Sequence, residues 1–97
     1  MSKGINCVQV SGNVASITFG TTQERGDDVC SFMLAVEKAK NLTTWIRVNV
    51  YGGAVEACKT HLSKGGYVIV EGELMNRKNK MLDDTVVEVR CRDIKFL

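Results

Sequence analysis

The sequence predicts an all-β domain with one short helix, in which five strands close into a small Greek-key barrel. Three observations support this fold class. The chain has five runs of β-type apolar patterning and one stretch of helical spacing, and its 97 residues include nine glycines and no proline. Proline interrupts paired strands, so its absence suits a chain dominated by them. At this length we expect a single domain spanning residues 1–97.

Three strands are predicted before the helix. The first begins with Ile5–Val10 and resumes at Val14–Phe19, which indicates one long strand that is kinked or bulged at Gly12. After a polar loop comes Val29–Glu37, whose nearly continuous apolar sequence predicts burial on both faces. A polar connection over residues 38–43 then leads to the third strand, Thr44–Tyr51.

The helix and the last two strands follow a Gly-Gly break. Within residues 54–63 the apolar side chains Val55, Cys58 and Leu62 have the spacing of one helical face. Two glycines at 65–66 are typical of a helix end. Residues 67–74 form the fourth predicted strand, residues 75–84 a polar and basic hairpin connection, and residues 85–97 the closing strand.

The order β-β-β-α-β-β places the single helix between strands 3 and 4. Antiparallel strands with one helix inserted at this point are typical of the five-stranded oligonucleotide-binding (OB) barrel. The fold prediction is therefore an OB-fold barrel.

The third strand carries the most informative residues for function. Because side chains alternate along a strand, one face is apolar and the other carries two aromatic rings, a guanidinium and an amide. Aromatic rings can stack on nucleobases while a cation holds the backbone. The alternative is a half-buried strand whose rings are covered by a loop or a second subunit. The polar face consists of Trp45, Arg47, Asn49 and Tyr51, and the apolar face of Ile46, Val48 and Val50.

Basic residues cluster on either side of this strand along the chain. The formal net charge is only +2, which alone is too weak to indicate a nucleic-acid partner. Each lysine or arginine taken singly is more simply a solvated surface charge, but as a set they could form a groove for phosphates. The candidate phosphate contacts are Lys38, Lys40, Arg77, Lys78 and Lys80.

The cysteines do not indicate a metal site or a secreted protein. No two of the four cysteines lie in a CxxC pair, and His61 is the only histidine. The start of the chain has no signal segment, and no run is long enough to span a membrane. We therefore expect free thiols in a reducing cytoplasm, each cysteine packing as a small core residue. No cofactor, metal or catalytic constellation is indicated, so an enzyme is not expected.

The chain resembles the bacterial-type single-stranded DNA-binding protein (SSB) family over nearly its whole length. Each matching piece is weakly specific alone, but their order and spacing together are fairly specific. The pieces are residues 4–6, 10–14, 32–36, 44–48 and 51–52, the helix end at 62–65, then 68–74, 77–78 and 85–89.

The resemblance implies roles for several residues and also shows departures. Trp45 matches a stacking tryptophan of the family, and Tyr51 a stacking aromatic. The family usually has two further stacking aromatic residues. In this chain one of these positions is Asn79, and Lys40 lies close to the other. The sequence ends at Leu97 without the acidic C-terminal tail of the family, so we expect either a truncated chain or a tail-less relative of the kind found in phages, plasmids, other mobile elements and primosomes.

Two functional hypotheses follow. The first is an oligomer, a tetramer or a dimer, that binds single-stranded DNA without sequence preference during replication or recombination, with RNA as a possible variant. The second is a primosome-like OB-fold adaptor that acts mainly through a protein partner, such as a replication or recombination protein. In the second case Trp45 and Tyr51 would anchor that partner, since aromatic residues are often interface hot spots.

Overall fold

The computed structural model describes residues 2–22, 25–79 and 84–97. These residues form a closed five-stranded barrel with strand order β1-β2-β3-β5-β4. The helix lies between the third and fourth strands, so the predicted all-β fold class with an OB-type element order is confirmed. The elements are β1 (Val8–Thr21), β2 (Asp28–Ala39), β3 (Leu42–Tyr51), α1 (Ala54–His61), β4 (Tyr67–Asn79) and β5 (Asp84–Phe96).

β1 belongs to both halves of the barrel. Its first part, Val8–Asn13, pairs with β4, and its second part, from Asn13 to Thr21, pairs with β2. Gly12 lies at this change of partner, where a Cβ atom would overlap the backbone oxygen of Ala35. A single long β1 is as predicted, but the bulge falls at Ala15, between Val14 and Ser16, rather than at Gly12.

The barrel closes through a short parallel pairing between β3 and β5. Val48 pairs with Val89 and Asn49 pairs with Arg90. All the other strand pairs are antiparallel. This closure brings the outer side chains of β5 next to those of β3.

Two predicted connections are shorter than the polar sequence indicated. The β2–β3 connection predicted over residues 38–43 is a two-residue turn, with Ala39 paired to Leu42 and Asn41 at φ 64°. The connection predicted over residues 75–84 is also wrong, because β4 continues to Asn79 and β5 begins at Asp84. Polar residues fit a strand here because the β4–β5 hairpin has exposed positions along its length.

The core lies between the barrel and α1. Its members are fully or almost fully buried, and α1 contributes Val55 and Cys58 to it, as its helical spacing predicted. β2 is not buried on both faces: Phe32 and Leu34 point into the core, whereas Ser31 and Met33 on the outer face are half-buried. The remaining core residues are Val14, Cys30, Val48, Val50, Val68, Val70 and Val89.

The cysteines divide by depth. Cys30 and Cys58 are buried and Cys91 is half-buried, but Cys7 is exposed, so the prediction of a core position is wrong for Cys7. Desolvation, with the neighbouring Cys58 thiol, raises the pKa of Cys30 to about 12. Burial likewise raises the pKa of Cys58, and it raises that of Cys91 to about 11. Within the described part of the chain, no three Cys, His, Asp or Glu side chains converge as metal ligands.

The described helix, α1, has eight residues. Nowhere in residues 2–22, 25–79 and 84–97 is a helix sufficiently long and apolar to cross a membrane. α1 instead packs against β2 and β3 and covers one end of the barrel core.

Gly72→Ala is expected to destabilise the barrel. Gly72 faces β5 beside the register shift, and a Cβ atom there would overlap the backbone oxygen of Arg90. Overpacking against backbone costs roughly 1–3 kcal/mol or more. Urea unfolding of Gly72→Ala measures this loss. Gly20→Ala is the matched control, since Gly20 also lies in a strand and nothing lies within 4 Å of its added Cβ, and its unfolding midpoint should stay close to that of the native chain.

Thiol labelling should separate the cysteines by depth. The thiolate is the reactive form, so burial and the raised pKa of Cys30 keep that thiol protonated and inert at pH 8. Reaction of the native protein with a disulfide reagent should therefore label Cys7 rapidly, and Cys30 and Cys58 only after unfolding in guanidinium. Rapid labelling of Cys30 in the folded protein would contradict the described core.

Candidate functional site

A groove of about 920 Å³ runs across the outer face of the barrel. All five strands and the loop before β2 contribute to it, so its shape depends on barrel closure. The residues lining it are Thr18, Gly20, Thr22, Arg25, Asp27, Val29, Ser31, Arg47, Asn49, Tyr51, Met75, Arg77 and Arg90.

The groove is strongly cationic although the chain as a whole is not. Among the residues that the structure describes, its lining includes Arg25, Arg47, Arg77 and Arg90 against one carboxylate, Asp27. Clustered charge of one sign in a cleft attracts a ligand of the opposite sign. Guanidinium groups offer planar, paired donors that suit phosphate. The groove is therefore chemically suited to a polyanion.

A chain of polar side chains crosses the floor of this groove from β2 to β5. The Ser31 hydroxyl donates to Asn49 Oδ1 at 2.6 Å, and Asn49 Nδ2 donates to Glu88 Oε1 at 2.8 Å. Asn49 is only 4% exposed and Glu88 5%. Since a carboxylate can only accept, the amide must present its nitrogen to Glu88, which fixes the orientation of Asn49.

Glu88 also joins two of the groove arginines. Its Oε2 lies 3.6 Å from Arg47 Nε and accepts from Arg77 Nη1 at 3.5 Å. Arg47 Nε is buried and makes no hydrogen bond within the described residues. The acid that Arg47 contacts across the barrel closure is therefore Glu88 of β5.

Tyr51 and Arg90 form the end of the groove near the start of α1. The Arg90 guanidinium carbon lies 5.1 Å from the centre of the Tyr51 ring, a cation–π contact. One face of the half-buried ring therefore already has a cation over it. The pair combines an aromatic surface with a positive charge, both of which are used to bind single-stranded nucleic acid.

Trp45 lies outside the groove on the same strand. Its side chain is 60% exposed, a large fraction for a tryptophan. It occupies the same side of β3 as Arg47 and Tyr51, and Tyr51 lies six positions further along the strand, or about 20 Å away. Trp45 and the groove together therefore make an extended surface rather than one pocket.

The predicted lysines do not converge on the groove. Lys38, near the end of β2, lines a second cleft of about 420 Å³ with Glu37 and Tyr67. Lys40 is exposed in the β2–β3 turn, and Lys78 is exposed on β4 and makes an interaction of its own. Lys80 lies outside the described residues.

Of the predicted site residues, the structure thus brings four together: Arg47, Asn49, Tyr51 and Arg77. Asn49 is different from the others, because its buried amide supports Glu88 and is not an exposed contact.

Sequence reasoning missed Arg25, Glu88 and Arg90. Alternation along Val86–Arg90 could have placed Glu88 and Arg90 on one face of β5 and Val87 and Val89 on the other. That pattern does not reveal that this face lies beside β3. For Arg25, which lies in a polar loop, the sequence holds no comparable signal.

Comparison with known proteins agrees with the geometry. A profile of the Single-strand binding protein family matches residues 5–97. Single-stranded DNA-binding protein 2 of Chlorobaculum tepidum is 30% identical over 105 residues, which cover 96% of this chain and 71% of that protein. Single-stranded DNA-binding protein 1 of the same organism is 29% identical over 109 residues, which cover 100% of this chain and 67% of that protein.

Solved structures give the same result. The Plasmodium falciparum SSB in complex with ssDNA superposes with a TM-score of 0.81 at 26% identity, covering 100% of this chain and 98% of that one. The dimeric N-terminal domain of PriB from Thermoanaerobacter tencongensis shares the fold, with a TM-score of 0.76 at 22% identity over 95% and 96% of the two chains.

The closed barrel and its cationic, aromatic groove agree with this match. The match over residues 5–97 shows that this chain belongs to the Single-strand binding protein family, a family of binding proteins rather than of enzymes.

Proposed function

We propose that this protein binds single-stranded DNA without sequence preference and protects it during replication and recombination. The single observation that carries this proposal is the groove, in which four arginines and Tyr51 lie together on one outer face of the barrel. The free thiols suit a reducing compartment, so we place the activity in the cytoplasm.

The binding mode combines stacking with phosphate contacts. Trp45 is the primary base platform, because it is exposed and every base offers a face for stacking. Tyr51 is the second platform, approached from the side that Arg90 leaves open. Arg47, Arg77 and Arg90 hold phosphates between them, and Lys38, Lys40, Lys78 and Lys80 add peripheral contacts.

The small number of platforms also favours an oligomer. Base–aromatic stacking is worth roughly 1–3 kcal/mol per base, so two platforms give at most about 6 kcal/mol. That energy corresponds to a dissociation constant of roughly tens of μM. Several subunits on one strand raise the effective affinity without any new type of contact. We therefore infer that the protein acts as a homo-oligomer, a dimer or a tetramer.

The first test is titration of the native protein with poly-dT, followed by Trp45 fluorescence. Trp45 is the only tryptophan, so the signal has one origin. Stacking should quench it, and Trp45→Ala should weaken binding by about 5- to 150-fold, measured by fluorescence anisotropy of labelled oligo-dT.

Val87→Ala is the control for Trp45→Ala. Val87 is 62% exposed, comparable to Trp45, but it lies on the face of β5 opposite Glu88. It should leave the affinity unchanged. Absence of both quenching and anisotropy change at low salt would refute DNA binding and favour the adaptor hypothesis.

Arg90→Met should reduce the salt dependence of binding. Each phosphate contact contributes about 0.7 to the slope of log K against log salt for a single strand, so losing one should flatten the slope by roughly that amount. Lys59→Met is the matched control, since Lys59 lies on the exposed face of α1 and pairs with Glu56. An unchanged slope for Arg90→Met would remove Arg90 from the phosphate contacts.

A further inference from the structure

Glu88 is an unexpected residue in a site for a polyanion. The residue is 5% exposed, and its carboxylate contacts Asn49, Arg47 and Arg77, three of the residues that line the groove. A negative charge at this position repels the phosphates that the arginines attract. Burying a charge is costly unless it is paired and hydrogen-bonded. The contacts of Glu88 indicate what this arrangement achieves.

The carboxylate makes a shorter contact with Asn49 than with either of the two arginines. Asn49 donates to Oε1 at 2.8 Å and is itself held by Ser31 at 2.6 Å, so Glu88 is anchored to β3 and β2 by short bonds. The other oxygen, Oε2, meets Arg47 and Arg77 at 3.6 and 3.5 Å. Both arginine side chains keep an exposed portion, 38% and 54%. Both arginines therefore remain accessible to a ligand in the groove.

Sharing one oxygen makes the two arginines converge. The nitrogens of Arg47 and Arg77 that contact Oε2 can lie no more than about 7 Å apart, although the residues come from β3 and from the β4–β5 hairpin. Two guanidinium groups this close repel each other. The carboxylate between them offsets that repulsion. Both guanidinium groups can then donate to the oxygens of one phosphate.

We propose that Glu88 is a positioning residue that holds Arg47 and Arg77 together as a two-arginine clamp for one phosphate of the bound strand. The clamp rests on the proposed single-stranded DNA binding. Glu88 itself does not contact the strand. The Ser31–Asn49 pair fixes the position of Glu88. Glu88 in turn fixes Arg47 on β3 and Arg77 on β4, two strands of the barrel that do not pair with each other.

Glu88→Gln tests this proposal because the two alternatives predict opposite signs. Glutamine keeps an oxygen for Asn49 but removes the charge shared by the arginines. A mere competitor of phosphate would, when neutralised, let the strand bind more tightly. A positioning residue predicts that oligo-dT affinity falls, by about fivefold or more, even though the groove gains a positive charge. Unchanged or tighter binding overturns the proposal.

Glu71→Gln is the matched control for charge. Like Glu88→Gln, this substitution removes one negative charge, but it does so at an exposed position on β4 that does not line the groove. Its affinity should be equal to that of the native protein or slightly higher. Weakening equal to that of Glu88→Gln would show that the effect is not specific to the clamp.

A cycle of lysine variants tests whether Arg47 and Arg77 act as one clamp, and it does not depend on the folding of Glu88→Gln. Arg47→Lys and Arg77→Lys keep the charges that Glu88 needs but lose the guanidinium fork. If the two arginines hold one phosphate, either substitution alone should disable the clamp. The double variant should then bind oligo-dT about as weakly as the weaker-binding single variant. Losses that multiply independently overturn the proposal.

The native titration distinguishes this proposal from the function on which it rests. If poly-dT quenches Trp45 but the affinity losses of Arg47→Lys and Arg77→Lys multiply in the double variant, the protein binds DNA and the clamp proposal is wrong. Absence of binding by the native protein removes both. Urea midpoints of every variant, compared with the native value, verify that the proteins compared are folded.

Discussion

The short parallel pairing of β3 with β5 is the constraint on which the rest of the structure depends. It involves only Val48 with Val89 and Asn49 with Arg90, yet it converts a curved sheet into a closed barrel. The same contact places Glu88 and Arg90 beside the polar face of β3. Without it, Tyr51 would have no cation over its ring, and Asn49 would have no carboxylate to hold.

Closure also requires backbones to approach closely at two corners. Gly12 and Gly72 lie where β1 and β4 meet the backbone of their neighbours, and no side chain fits there. In both cases the adjacent strand contributes a site residue or its neighbour: Arg90 opposite Gly72, and Ala35, the partner of Trp45, opposite Gly12. The geometry of the strands that carry Trp45 and Arg90 is therefore coupled to the packing of the barrel.

The electrostatics of the face are local rather than global. A net charge of +2 gives little indication of a polyanion site, whereas four arginines in one groove do. Glu88 reduces the total charge of that groove but brings two of its cations together. In a site of this kind the arrangement of the donors counts for more than the sum of the charges, because phosphate is bound by directed hydrogen bonds as well as by Coulomb attraction.

Sequence reasoning reached the fold class, the helix between the third and fourth strands, and β3 as a strand that contributes polar and aromatic residues to the groove. These features depend on local periodicity: alternation in Thr44–Tyr51 separates two faces, and the spacing of Val55 and Cys58 indicates a helix packed on a core. The bounds of the hairpins were wrong, because polar residues such as those at 76–79 fit a solvated strand as well as a loop. Polarity alone does not distinguish the two.

The sequence by itself therefore determined which side chains share a strand face, since the two-residue period of a strand acts over neighbouring residues. Only the tertiary structure decided which faces meet. Arg47 and Glu88 are far apart in the chain and come into contact through barrel closure, and the burial of Asn49 follows from the same closure. Such contacts depend on how whole strands pack, and the alternation of residues within a single strand carries no information about them.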